Sequence, residues 1–323
     1  MRAAIYRQYG APEVVHIGEL PYPTPGRQEI RIRVTHTTVS AGDVRLRSAN
    51  VPRGFGVFVR MMQGVFGPRH PVLGTEIAGV VDTLGSGVTS FAIGDRVFGA
   101  TGVQLGGHAE FVVLPASAAL VKIPPELSDA DAVSLVFGGT TALAFLRDIG
   151  RIQADERVLV NGASGAVGSA AVQLAVHFGA EVTAVCSARN AEACRALGAA
   201  HVIDYTKEDF ARGGARYDIV LDTIGNVPWS RGRHALREGG RLLLAVADLA
   251  QTLGALLWPR RGGREVRGGV AMGKAEDLAL LAELAVQGAL EPVVDRTYPL
   301  AAIVEAHTYV DTGRKRGNVL VRV

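Results

Sequence analysis

Three glycines recur at three-residue intervals in Gly162-Ala163-Ser164-Gly165-Ala166-Val167-Gly168, directly after an apolar run and at the start of a helical pattern. Small residues there let an anion reach backbone N–H groups at the positive end of a helix. Strand–turn–helix units of this kind hold a pyrophosphate, so the turn predicts a bound dinucleotide, with Gly168 letting the helix lie close to the sheet. About twenty residues further on, a nucleotide with a free ribose hydroxyl calls for Asp or Glu. The sequence has Cys186-Ser187-Ala188-Arg189-Asn190 instead. A hydroxyl and a guanidinium suit a 2′-phosphate, so the expected cofactor is NADPH rather than NADH.

Other chemistries are poorly provided for. Two cysteines, Cys186 and Cys194, cannot build a disulfide framework or a four-cysteine zinc site, and both read as packing residues. None of the seven tyrosines has a lysine four residues on, which excludes a Tyr-x-x-x-Lys pair. A net charge of +3 without like-charge blocks does not call for nucleic acid. Arginine outnumbers lysine 30 to 4, which lowers the weight of any single Arg. No uncharged apolar run is long enough to span a membrane, and the first residues lack a signal pattern, so the expected location is the cytoplasm.

The elements that must position the turn change character along the chain. Before residue 120 the pattern is strand and turn: 29–35 alternates with period two, and 71–81, 94–98 and 107–114 are bounded by Gly or Pro. Thirteen of the 40 glycines fall between Gly54 and Gly107, which suits β structure better than helix. A helix is expected over 129–149, interrupted at Gly138-Gly139. Strands at 157–161, 181–186, 201–204, 217–222 and 240–245 then alternate with helices, the pattern of a doubly wound parallel sheet. After about residue 270, a helix over 275–287, a strand at 292–297, a helix over 301–309 and a last strand at 318–323 read as a return to the first domain.

These stretches together resemble the medium-chain dehydrogenase/reductase superfamily, in its zinc-free quinone oxidoreductase branch. The resemblance lies in Val80 to Val88, Gly94 to Gly99, Gly107-His108-Ala109-Glu110-Phe111, Gly139-Thr140-Thr141-Ala142-Leu143, Asn161 to Gly168, Leu197 to Tyr205 and Arg316 to Leu320. It covers essentially the whole chain. It implies an α/β protein in which a discontinuous GroES-like catalytic domain, 1–125 and 271–323, encloses a Rossmann domain, 126–270, with the active site between them and a possible homodimer. It further implies that Thr141 lies by the nicotinamide-side phosphate, and that Ser164 to Val167 hold the pyrophosphate. Ser187, Arg189 and Tyr205 would surround the 2′-phosphate, Thr223 would flank the adenosine, and Ala245, Val246 and Ala247 would lie by the nicotinamide. Family members often carry Lys where this chain has Asn318.

Zinc-dependent relatives need a Cys near the start of the cleft and a His-Glu pair after a Gly. Ser40 and Thr75 stand there, and neutral hydroxyls do not replace thiolate and imidazole as zinc ligands. No metal is therefore expected. What remains is hydride transfer from NADPH to a small electron-poor acceptor, a quinone or an α,β-unsaturated carbonyl. Ser40, Asp43 and Arg45 are the nearest candidates for polar groups on the acceptor side, with Asp43 also readable as a helix cap and Arg45 as a contact for an anionic acceptor. His70 and His108 read as turn and surface residues. Two alternatives stay open: an NADPH-binding sensor with little turnover, and a metal-free NAD(P)-dependent alcohol or aldehyde dehydrogenase.

Two apolar segments with scattered arginines fall outside this scheme. They are 51–66 and 249–267, the latter with Leu253, Leu256, Leu257, Trp258, Arg260, Arg261, Arg264 and Arg267. They could wall or cover the acceptor, form a subunit contact or buried helix, or meet a membrane surface.

Overall fold

The computed structural model describes residues 1–323 apart from Ala215, Trp258, Val270 and Met272, and of Arg261 the backbone alone. Trp258 and the Arg261 side chain, named above within an apolar segment, thus lie outside the described residues.

The alternating second half folds into a parallel sheet whose strand order is His201–Asp204, Glu181–Cys186, Arg157–Asn161, Tyr217–Asp222, Leu236–Leu244, Arg264–Gly268. A short edge strand, Arg260–Arg261, runs antiparallel to the last of these. Chain order reverses between Arg157–Asn161 and Tyr217–Asp222, which opens a crevice at the carboxyl ends of these two strands. The inner strands are buried on both faces, as Val158, Leu159, Val160, Ile219, Val220 and Leu221 show, because helices cover both sides.

A second sheet draws strands from both ends of the sequence. Glu29–Thr38 pairs with Glu76–Leu84, with Phe111–Pro115 and with the late strand Asn318–Arg322, which in turn pairs parallel with Val294–Pro299. Among the described residues no helix is long and apolar enough to cross a membrane.

The helix Asp129–Leu143 joins the two sheets. Ser128 caps it by accepting from Asp131 N–H, and Asp129 ties it to the second sheet through Arg96 at 2.7 Å and the Thr35 hydroxyl at 2.6 Å. The expected interruption at Gly138-Gly139 is absent: the helix runs through both and passes into a π-helical turn, Ala144–Gly150. Packing is the reason for these glycines. A Cβ on Gly138 would stand 2.5 Å from Ala166 O, and one on Gly139 2.9 Å from Leu281 Cδ1. Their helical propensity cost, about 1 kcal/mol each, is offset by close approach to the helices Ala166–His177 and Ala275–Val286.

The two apolar segments meet. Leu249 N–H donates to Arg53 O at 2.9 Å, which joins the start of the helix Leu249–Leu257 to the turn just before the helix Gly56–Gln63. The buried-helix reading is corrected: Phe58, Met61, Phe66, Leu256 and Leu257 are exposed.

Candidate active site

The glycine turn is built around one carboxylate. Asp222, fully buried at the end of its strand, accepts from Asn161 Nδ2 at 2.9 Å and from the N–H groups of Ile224, Gly225 and Val227. Thr223 Oγ1 donates to Asn161 O at 2.8 Å. The loop after Asp222 is thereby fixed against Gly162, where φ is +84° and a Cβ would meet Thr223 Oγ1 and Ile224 Cγ1 at 2.6 Å. Gly168 serves packing. A Cβ there would lie 2.1 Å from Gly162 O, so the helix can start this close to the strand only without a side chain.

Gly165 is neither of these. It is the N-cap of Ala166–His177, no described side chain caps that end, and a Cβ would meet only Gly162 O at 3.5 Å among the described residues. The first helical N–H groups consequently face open space lined by Gly162, Ser164, Gly165, Ala166 and Val167. That cradle fits a pyrophosphate.

The space belongs to a cleft of about 500 Å³ between the two sheets. Of the expected residues, Thr141, Thr223, Ala245, Val246 and Asn318 also line it, opposite Ser40 and Arg45. Ala163 is buried in the core instead, and Ala247 packs against the core around Val220 and Leu242. Ser187, Arg189 and Tyr205 lie outside the lining, beyond adjacent strands in which Asp204 pairs with Cys186. Arg189 there donates to Arg314 O at 2.8 Å. Among the described residues, none from the two apolar segments, 51–66 and 249–267, lines the cleft. Cys186 and Cys194 are both buried.

The cap reading of Asp43 describes its contacts. Ser40 Oγ accepts from Gly42 and Asp43 N–H, while the Asp43 carboxylate accepts from Ser40 N–H, Ser40 Oγ and Gly74 N–H. It is fully buried and does not line the cleft, whereas Ser40 does. His108 is corrected from surface to core: it is buried, with Nε2 2.8 Å from Thr38 O. Its neighbour His307 is held neutral by burial, its pKa pushed down to about 2.

Sequence reasoning missed Lys315 and Asn190, and for Glu76, in a strand pattern after a Gly-Thr turn, it predicts only that burial would demand a partner. Lys315 lines the cleft, with Nζ donating to Gly317 O at 2.6 Å, and burial pulls its pKa down to about 8 against the opposing pull of Glu76. Glu76, buried with Thr38 Oγ1 donating at 2.7 Å, is pushed up to about 8 by burial and then by Asp43. Asn190 Nδ2 donates to Ser164 Oγ at 3.0 Å. Lys315 had one available signal, as the sole lysine near the tail motif. Asn190 had none, since its role depends on a turn 26 residues away.

Among the described residues no group of three or more His, Cys, Asp or Glu side chains is placed to hold a metal ion. At the position compared with a zinc ligand, Ser40 Oγ is engaged in capping, and Thr75 Oγ1 donates to Glu76 Oε1. This donor set does not fit zinc.

Comparison with known proteins gives a consistent picture. A family described as alcohol dehydrogenase GroES-like domain matches residues 26–125, and one described as zinc-binding dehydrogenase matches 197–321. The chain is 30% identical to a chloroplast envelope quinone oxidoreductase homolog of Arabidopsis thaliana, over 99% of this chain and 98% of that protein. The solved quinone oxidoreductase of Coxiella burnetii superimposes with a TM-score of 0.90 at 27% identity, covering 100% of this chain and 99% of the other. Mycobacterial Rv1454c, solved in complex with NADPH, gives 0.82 at 26% identity with 100% of both chains covered.

Proposed function

Because the chain belongs to the medium-chain dehydrogenase/reductase superfamily, in its quinone oxidoreductase-like branch, we propose that this oxidoreductase uses NADPH, without zinc, to reduce a quinone or an α,β-unsaturated carbonyl. The observation that carries the reading is the cleft itself: the uncapped helix end at Gly165 on one wall faces Ser40 and Arg45 on the other.

The bound cofactor supplies a hydride from its nicotinamide ring. In this reading the N–H groups of Ala166 and Val167 hold the pyrophosphate, with Thr141 at its nicotinamide side. Ser187, Arg189 and Tyr205 receive the 2′-phosphate; the missing acid after Cys186 and the mycobacterial NADPH complex both support that preference. Ala245 and Val246 flank the ring, and Ser40 meets the acceptor. Lys315 is the lining group whose proton is loosened toward neutral pH, so it can hold one close to the reacting face. Zinc independence rests on the donor set, a capping serine and a threonine bonded to Glu76. Electron-poor acceptors need little acid assistance, and orientation in the cleft is the protein's main contribution. We place the acceptor domain at 1–125 and 271–323, the nucleotide domain at 126–270, and the protein in the cytoplasm.

The test is loss of NADPH fluorescence on adding a panel of quinones and enones, with and without a chelator and with NADH for comparison. Turnover with NADPH that ignores the chelator is expected. Metal-dependent activity confined to alcohols would refute the proposal.

A further inference from the structure

The helix Ala41–Ser48 carries two arginines two residues apart, and such positions do not share a face. Arg47 turns inward: its side chain is buried, with Nη2 2.6 Å from Asp311 and Nε 3.2 Å from Gly10 O. Arg45 turns into the cleft, beside Ser40, Val44, Ser48 and Asn50. It is half-buried, and it makes no hydrogen bond or ion pair with any described residue. Burial alone pulls its pKa down from the usual guanidinium value, with no acidic neighbour to oppose it.

The other charges on the lining are engaged. Lys315 donates to Gly317 O and interacts with Glu76, and Asp311, the acid on this lining, already holds Arg47. A partly desolvated cation without a partner costs stability unless something else supplies the counter-charge. The guanidinium fork matches a carboxylate or sulfonate through two parallel hydrogen bonds. The nucleotide's pyrophosphate has its own cradle on the facing wall, at Gly165.

We propose that Arg45 is an anion-binding specificity residue, and that the acceptor this enzyme prefers carries a carboxylate- or sulfonate-type group beside its reducible carbonyl system. The inference deepens the reductase reading above and rests on it. Asn50, on the same stretch of lining, is the neutral polar group placed to share the anion's remaining oxygens, since the Ser48 hydroxyl already donates to Val44 O at 2.7 Å.

The full chain with NADPH is tested on a matched pair, a naphthoquinone sulfonate and the parent naphthoquinone. The native enzyme should favour the sulfonate in kcat/KM. Arg45→Met should lower the sulfonate-to-parent ratio about tenfold, the size of one charge-assisted hydrogen bond, and Arg45→Lys should recover part of it. High salt should erode the native preference. An unchanged ratio in Arg45→Met would overturn the assignment. So would a raised KM for NADPH with the ratio unchanged, since Arg45 would then serve the cofactor. If neither quinone is reduced, the reductase reading fails separately. Equilibrium dialysis of naphthalene sulfonate with the NADPH-saturated protein still decides Arg45: weaker binding in Arg45→Met supports the site, and equal binding removes it.

Discussion

Asn190 Nδ2 donates to Ser164 Oγ across 3.0 Å, and the same amide lies 3.5 Å from Ser187 Oγ. One buried side chain thus fastens the glycine turn to the segment proposed to carry the 2′-phosphate. Asn190→Ala removes this tie without touching the glycines. NADPH affinity should fall about three- to tenfold, the range of one net hydrogen bond. Fluorescence titration of NADPH checks it, and unchanged affinity would show that the turn is fixed by its other contacts.

Gly165 and Gly168 should separate binding from folding. Gly165 has φ near −80° and room for a Cβ, so Gly165→Ala should leave thermal stability close to native while weakening NADPH binding at least tenfold. Gly168→Ala places a Cβ 2.1 Å from Gly162 O and should lower the melting temperature. Melting curves with and without NADPH distinguish the two. Equal losses of stability would contradict the division of roles.

Arg189→Ala should raise KM for NADPH about tenfold and leave KM for NADH little changed, since only the phosphate calls on the guanidinium. The Arg314 O contact is exposed, so its loss should cost little stability. A parallel rise for both nucleotides would place Arg189 elsewhere than at the 2′-phosphate.

The buried Glu76 carboxyl makes stability depend on pH. Burial raises its folded pKa from 4.5 to about 8, so the folded state holds the proton more tightly than the unfolded chain. Its contribution is therefore fully present below 4.5, declines as pH climbs toward 8, and is level above that. Lys315, lowered from 10.5 to about 8, acts in the opposite sense and only above that pH. Thr38, Thr75, Asp43 and Lys315 are the groups that oppose or reinforce the Glu76 shift. Glu76→Gln cannot ionise. Its stability relative to native should rise between about pH 5 and pH 8, by at most about 1.4 kcal/mol per pH unit. Denaturation at several pH values tests this, and parallel curves would refute it.

Asp43→Ala should destabilise by about 2 kcal/mol, because Ser40 and Gly74 N–H groups lose their acceptor in a buried place. Urea denaturation reads the loss. A stable variant with altered catalysis alone would instead put Asp43 in the chemistry.

Local signals made much of this legible. Alternating and continuous apolar runs located the strands, and Ser40 followed three residues later by Asp43 announced a cap that the fold contains. Glycine was harder. Gly138 and Gly139 suggest a break when read as propensity, yet they sit in an unbroken helix because two other helices press on it there. His108 is punctuated like a surface turn but is covered by the helix bearing His307, which comes from the far end of the sequence. Lys315 enters the cleft for the same reason. Its neighbourhood is set by the pairing of Asn318–Arg322 with Glu29–Thr38, and no local pattern encodes that.

The docking of the tail onto the glycine turn also bears on how the protein is made. Gly317 N–H donates to Ser164 O at 2.8 Å, and the next residues add a strand beside Glu29–Thr38. A ribosome-bound chain that has not yet released residue 317 lacks both contacts. All residues of its glycine turn and parallel sheet are present, but Glu29–Thr38 still awaits its late neighbour, and Lys315 is missing from the cleft. Assembly of the site therefore waits until residues 315–322 have left the ribosome, and a nascent chain shorter than that cannot use a completed cleft to draw its cofactor in early.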